Sequence, residues 1–178
     1  MNIQRLEMVK LMLERMIAGS WHGVEELPKT EVRSWNITGK SPTLPIQVLD
    51  FDLSSWRSNV RVDETNVCGY SACVVGHMCF DEEFRKLGWN WDYAAPRFDG
   101  LTDWGGVNKF FGFDEDRDYG IGELLFIEDA YSVKDEDGEF IRMSGDDRRH
   151  VINRIDELIQ LGESKFLRKH KKLLEFIQ

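Results

Sequence analysis

The chain has 178 residues, of which 42% are hydrophobic and 12% aromatic, and its net charge is −9. This length and apolar content are typical of one folded domain, residues 1–178, and they exclude an intrinsically disordered chain. No apolar run reaches the roughly 18 to 20 residues that a bilayer-spanning helix requires, so we expect no membrane as a partner.

The first residues and the cysteines indicate the compartment. Arg5, Glu7 and Lys10 interrupt any apolar core of a signal peptide, so export is not expected. Three cysteines are an odd number and too few for a disulfide scaffold. Both features predict a protein of a reducing cytoplasm.

Hydrophobic periodicity and breaker residues predict the elements of the first half of the chain. In chain order these are a helix from Asn2 to Ala18, an irregular excursion over residues 20–45, a strand from Ile46 to Phe51, a short capped turn carrying Trp56, a helix from about Ser71 to Phe80, a helix from Asp81 to Leu87, and an irregular aromatic stretch from Trp89 to Gly100.

The second half of the chain predicts four helices and one hairpin. They are a helix from Asp103 to Phe111, a helix from Ile121 to Ala130, a hairpin from Tyr131 to Met143 around Asp137-Gly138, a helix from Asp146 or Asp147 that is closed by Gly162, and a last helix capped by Ser164. The predicted fold is therefore mainly α with a small β component (α+β). We expect a compact single domain of short helices around a buried small-residue helix, with one β-hairpin.

The charge is concentrated in an acidic segment, residues 114–139, which holds eleven acidic and two basic residues and so accounts for the whole net charge. An acidic surface repels phosphate backbones, which argues against general nucleic-acid binding. Aromatic residues close to the segment favour a basic protein as partner. The predicted partner-binding residues are Asp114, Glu115, Asp116, Asp118 and Trp104. A weak cation site that uses three of these aspartates and Glu123 is an alternative.

A basic run lies near the other end of the sequence and opposes the acidic segment in charge. It consists of Lys165, Arg168, Lys169, Lys171 and Lys172. We interpret it as a solvated face of the last helix.

All three cysteines and one histidine fall within twelve residues, as Cys68, Cys73, His77 and Cys79. Thiolate and imidazole are the preferred zinc ligands, so these four residues are the candidate metal site, with zinc as the cofactor. On a continuous helix, however, Cys79 points away from the face that Cys73 and His77 share. The favoured interpretation is therefore structural: a stripe of small residues that lets another helix approach. A Cys68–Cys73 disulfide or a reactive thiol is a further alternative.

The segment Cys68-Gly69-Tyr70-Ser71-Ala72-Cys73-Val74-Val75-Gly76-His77 resembles the Cys-Gly-Thr-x-x-Cys-x-x-Gly signature of uncharacterised small proteins encoded by bacteriophages. Phe51-Asp52-Leu53-Ser54-Ser55-Trp56 resembles the element that precedes this signature in the group, and later elements follow in the same order as far as Leu161. Tyr70 stands where threonine is usual. The resemblance implies a phage origin and an accessory role, and it implies nothing about catalytic residues.

Nucleophile elbows, phosphate loops and dinucleotide-binding glycine patterns are missing from the sequence. The leading hypothesis is a non-enzymatic phage accessory protein that binds a host protein in the cytoplasm of the infected cell. Its acidic face could mimic nucleic acid and occupy a basic groove. The alternatives are a zinc-dependent regulator or enzyme that uses the cysteine and histidine cluster, and a structural protein of the virion.

Overall fold

The computed structural model describes residues 1–21, 23, 47–51, 53, 58–61, 67–92, 95–113, 120–134 and 140–177. The chain divides into two compact units. Unit 1 comprises Met1–Trp21 and Trp104–Gln178, and unit 2 comprises His22–Asp103. The single domain expected over residues 1–178 stays a prediction.

The helices in the described part of the chain are α1 (Ile3–Ile17), α2 (Val74–Phe80), α3 (Glu82–Lys86), α4 (Asp103–Phe111), α5 (Ile121–Phe126), α6 (Asp147–Leu161), α7 (Glu163–Lys169) and α8 (Lys171–Ile177). A 3-10 turn spans Glu128–Tyr131. The strands are β1 (Gln47–Phe51), β2 (Ser58–Arg61), β3 (Val67–Ala72), β4 (Asn90–Asp92), β5 (Ala95–Phe98), β6 (Leu101–Thr102), β7 (Ser132–Lys134) and β8 (Phe140–Arg142). Helices hold more than twice as many of these residues as strands, which confirms the predicted class, mainly α with a smaller β component.

The two long helices of unit 1, α1 and α6, begin at side-chain caps and pack against each other. The Asn2 and Asp146 side chains accept hydrogen bonds from the N–H groups of Arg5 (3.1 Å) and Arg148 (3.0 Å), which satisfy donors that a first helical turn leaves open. Lys10 of α1 forms an ion pair with Asp156 of α6. Both helices follow their predicted bounds because their start signals are local in sequence.

Unit 1 has a continuous apolar core to which α1, α4, α5, α6 and α7 contribute. Its fully buried side chains include Leu6, Met12, Val107, Phe110, Phe111, Leu124, Leu125, Val151, Ile155, Leu158 and Phe166. Burial of side chains of this size contributes about 1.5 to 3 kcal/mol each. The core of unit 1 is thus an assembly of helix faces, as the periodicity predicts.

In the part of unit 2 that the structure describes, the strands form two three-stranded sheets. In the first, β3 lies in the centre, parallel to β1 and antiparallel to β2. In the second, β5 lies between β4 and β6 with antiparallel pairing on both sides. Helix α2 contacts α3 and strands of both sheets, and each of its seven residues is buried. The predicted buried small-residue helix is therefore confirmed.

Four predicted element boundaries are wrong. Ser71 belongs to β3, so α2 begins only after Cys73. The stretch from Trp89 to Gly100 contains β4 and β5, where an irregular chain was predicted. The helix predicted from Ile121 to Ala130 ends at Phe126, because Ile127 is extended. The last helix begins at Glu163 after Gly162, not at a Ser164 cap, and it is broken at His170 into α7 and α8.

The remaining predicted elements divide into those confirmed and those outside the described residues. The strand ending at Phe51, the helix ended by Gly88, the helix closed by Gly112 and the hairpin of β7 and β8 are confirmed. The excursion over residues 20–45 and the turn carrying Trp56 lie almost wholly outside the described residues.

Candidate functional site

The acidic segment, residues 114–139, is described over residues 120–134, and the first half of this part belongs to the core. Every residue of α5 is buried. Helices α4 and α5 approach so closely that a Cβ added to Gly122 would lie 3.1 Å from both Val107 Cγ1 and Asn108 Oδ1. The acidic segment therefore contains a buried helix, α5, although its sequence holds the excess of acidic residues.

Glu123 is a buried carboxylate at the start of α5. Its Oε2 accepts a hydrogen bond from the Gly120 N–H at 2.8 Å, which closes the first turn of the helix. Burial raises the pKa of Glu123, and the hydrogen bond from Gly120 opposes this shift only in part. This carboxylate is therefore accounted for as a helix cap.

The base of the β7–β8 hairpin is anchored to the core through Tyr131. Its hydroxyl donates to the carbonyl of Leu125, and burial raises its pKa. The Arg154 guanidinium lies 5.0 Å from the centre of the Tyr131 ring and donates to the Ala130 carbonyl at 3.1 Å. The Met143 N–H donates to the Tyr131 carbonyl at 2.7 Å. These contacts hold the base of the hairpin against the core of unit 1.

The hairpin carries two large apolar side chains that remain exposed. Val133 is 44% exposed and Ile141 is 49% exposed. The two residues are directly opposite each other in the antiparallel register, so their side chains lie on the same face of the hairpin. We call Val133 and Ile141 the apolar pair. The five residues that connect the two strands, Asp135-Glu136-Asp137-Gly138-Glu139, include four acidic ones.

The predicted partner-binding residues divide into two groups. Trp104 is half-buried on α4, and its Cε3 lies 3.5 Å from a Cβ built on Gly122, so the indole packs against α5. Asp114, Glu115, Asp116 and Asp118 lie outside the described residues, and their role in binding a partner stays a prediction.

The predicted zinc ligands lie in unit 2 along β3 and α2, with Cys73 at the start of α2 and Cys79 near its end. Cys68 is on β3, and Cys73 is the residue that caps α2, with its Sγ 3.5 Å from the Gly76 N–H. His77 Nδ1 is 2.9 Å from the Cys73 carbonyl oxygen, and the His77 ring lies 5.5 Å from the ring of Phe51. The Cys79 thiol donates to the Asn90 carbonyl on β4 at 3.3 Å.

These contacts agree with a structural role for the described cysteines and for His77. The small residues of α2 pack against strands as well as α3, whereas the sequence predicted the approach of another helix. Among the residues that the structure describes, no three histidine, cysteine or acidic side chains form a group that could hold a metal ion. Zinc binding by Cys68, Cys73, His77 and Cys79 stays a prediction.

The apolar pair is a candidate binding feature that the sequence did not indicate. Val133 and Ile141 were predicted as strand residues, and β-branched residues favour strands without showing which face of the strand is covered. Their opposite placement follows from the register of the hairpin, and their exposure follows from its position beyond Tyr131. No signal within a single sequence distinguishes an exposed pair of this kind from a buried one.

Comparison with known proteins gives no assignment. No protein-family model matches the chain, and no curated protein or solved structure shows a significant match to it. Among the described residues, no helix is both long and apolar enough to span a membrane.

Proposed function

We propose that this protein acts by binding another protein, and that the acidic segment with its apolar pair forms the binding surface. The observation that carries this proposal is the exposure of Val133 and Ile141 side by side in the most acidic part of the chain. Protein interfaces combine a small apolar centre with a polar or charged rim. The apolar pair supplies such a centre, and we expect the carboxylates that flank it in sequence to supply the rim.

The charge of the segment defines the chemistry of the partner. A net charge of −9 within residues 114–139 attracts a basic surface over a distance of about 10 Å at moderate salt, which accelerates association. The same charge repels acidic proteins and nucleic acids. The partner is therefore a protein with a basic groove or face.

The resemblance to small phage proteins indicates the kind of protein that the chain would meet as a partner. A phage accessory protein meets the proteins of the infected cell, and many basic grooves among them serve nucleic acid. An acidic segment that occupies such a groove would block or redirect the host protein. This role requires no catalytic group, and the resemblance supplies none.

The test is capture of the partner from a lysate of the bacterial host, followed by affinity measurement with the purified partner. The test variant is Val133→Ser/Ile141→Ser, and a second variant neutralises Asp114, Asp116 and Asp118 to asparagine. The matched control is Leu87→Ser/Leu101→Ser, because these leucines of unit 2 are exposed to a similar degree, 41% and 39%.

We expect the wild type to capture a basic protein and both test variants to bind it at least about tenfold more weakly. The control variant should bind like the wild type. Capture of no basic protein, or an equal loss in the control variant, would contradict the proposal.

A further inference from the structure

A second charged surface lies on α7 and α8 in unit 1. Phe166 of α7 is fully buried, and His170, between the two helices, is bonded through Nε2 to Glu157 Oε2 of α6 at 2.8 Å. These contacts hold one side of the helices on the core. The opposite side faces solvent and carries the five basic residues between positions 165 and 172, all of them exposed.

Within the part of the chain that the structure describes, only some of these basic residues form ion pairs. Lys169 pairs with Glu157, and Lys171 pairs with Glu175 at 3.6 Å. Within the described residues, Lys165, Arg168 and Lys172 have no carboxylate within ion-pair distance. We call these three residues the basic face.

The basic residues of α7 lie close to one another. Lys165 and Arg168 are three positions apart on α7, and Lys165 and Lys169 are four apart, so like charges lie next to one another on the helix surface. Lys169 is held by Glu157, and Arg168 and Lys169 lie in the last turn of α7, where positive charge is favourable. A bound anionic group would in addition pair with the side chains of the basic face and relieve the repulsion between them.

An apolar group borders the basic face. None of the residues of α8 is fully buried, and Phe176 is 45% exposed. Phe176 lies four positions after Lys172, on the same side of α8. A ligand that fits this surface therefore carries both negative charge and an apolar side chain.

The charge of the rest of the chain limits the size of the ligand. Since the whole chain carries −9 and the basic run carries five positive charges, all other residues together carry −14. Nucleic acid or an anionic membrane extends well beyond this short surface, so it would be repelled by the remaining acidic surface. A short acidic segment of a protein contacts the basic face without this penalty.

We infer that the basic face, together with Phe176, binds a short acidic segment of a second protein that inserts an apolar side chain against Phe176. This surface is opposite in charge to the acidic segment and goes beyond the function proposed above.

The test uses the full chain and a fluorescent synthetic peptide in which glutamates flank a central leucine and phenylalanine. A single-stranded oligonucleotide and vesicles of phosphatidylserine and phosphatidylcholine are the competing probes. The test variant is Lys165→Glu/Arg168→Glu/Lys172→Glu, and Phe176→Ser is a second variant without a charge change. The matched control, Lys86→Glu/Lys109→Glu/Arg149→Glu, changes the net charge equally at other exposed positions.

We expect the wild type to bind the peptide, with affinity that falls as NaCl is raised, and the test variant to bind at least about tenfold more weakly. Phe176→Ser should also weaken binding, and the control should bind within about twofold of the wild type. Circular dichroism confirms that each variant is folded. Equal loss in both triple variants, no binding of the peptide, or tighter binding of the oligonucleotide or the vesicles would overturn the inference.

Discussion

Glu123 shows how one buried residue combines a favourable contact with an unfavourable charge. Its carboxylate caps α5 through the Gly120 N–H, and a cap of this kind contributes about 1 kcal/mol. Burial raises its pKa, so the fold favours the protonated form over the ionised one. Because the folded-state pKa lies above the unfolded one, this group's contribution is complete at low pH and declines as pH rises through the folded pKa.

Replacing Glu123 with glutamine should therefore stabilise the protein at pH 7, by up to about 1 kcal/mol, because an amide oxygen caps the helix without the buried charge. The stabilisation should vanish at pH 4, where the wild-type carboxyl is protonated. Denaturant unfolding at both pH values measures the difference. Glu82→Gln, an exposed carboxylate on α3, is the control and should change stability little. Destabilisation by Glu123→Gln at pH 7 would mean that the ionised cap outweighs the cost of burying the charge.

At the scale of elements, Glu157 joins α6 to α7 and to the break before α8. Its Oε1 accepts from Lys169 and its Oε2 from His170, and Arg154 Nε lies 4.0 Å away. Partial burial raises the pKa of Glu157, but the bonds from Lys169 and His170 outweigh burial, so the pKa lies below its usual range. Burial also lowers the pKa of His170, which favours the neutral imidazole in the fold.

Glu157→Gln should lower the free energy of unfolding by about 1 to 2 kcal/mol at pH 7, because it removes charge-assisted bonds in a partly buried position. Because the folded-state pKa of Glu157 is lowered, its carboxylate stabilises the fold at pH values above the usual pKa of a glutamate. This stabilisation is lost as pH falls below about 4.5. The difference between variant and wild type should therefore shrink towards zero at pH 3. Unfolding by urea at pH 7 and pH 3 tests this, with the exposed Glu175→Gln as control. A difference that stays constant with pH would show that the carboxylate charge contributes nothing.

At the scale of the whole molecule, the dominant feature is the separation of charge along the chain. The acidic segment carries the net charge of −9, while residues 165–172 are basic. Repulsion among clustered carboxylates destabilises a compact state, and salt screens this repulsion within about 10 Å at 0.1 M. Salt weakens ion pairs such as that of Lys10 with Asp156 and so destabilises the fold through them. Because acidic residues are in excess, the screening of their repulsion should be the larger effect.

The melting temperature should therefore rise by about 2 to 5 °C when NaCl is increased from about 0.02 M to 0.5 M. Calorimetry at pH 7 measures this change. The variant with Asp114, Asp116 and Asp118 changed to asparagine should show a smaller rise, since it has three fewer negative charges. A melting temperature that falls with salt would indicate that the ion pairs of the fold outweigh the repulsion.

Much of the fold could be predicted from short stretches of sequence. Asn2 and Asp146 start α1 and α6, and Gly19 and Gly162 end them with positive φ values of 68° and 72°. These signals act within one helical turn, so no knowledge of distant residues is needed. The acidic segment was also recognisable, because charge is a property of composition.

The sequence did not predict the second sheet of unit 2, which consists of β4, β5 and β6. Asp99 and Gly100 join β5 to β6 with positive φ values of 49° and 84°, as a tight hairpin turn requires. The flanking strands are only two to four residues long, and Pro96 lies within one of them. Such strands show no alternation of apolar and polar residues, so only pairing with neighbours stabilises them.

The sequence alone determined where most of the helices lie, the ends of α1 and α6, and the sign of the charge on each segment, because these depend on neighbours within a few positions. Only the tertiary structure decided which of these residues reach the surface. It buries Glu123 while it exposes Val133 and Ile141, and it breaks the last helix at His170, where the imidazole bonds to Glu157. Whether a side chain is buried depends on contacts with residues that are distant in sequence, and no local pattern contains that information.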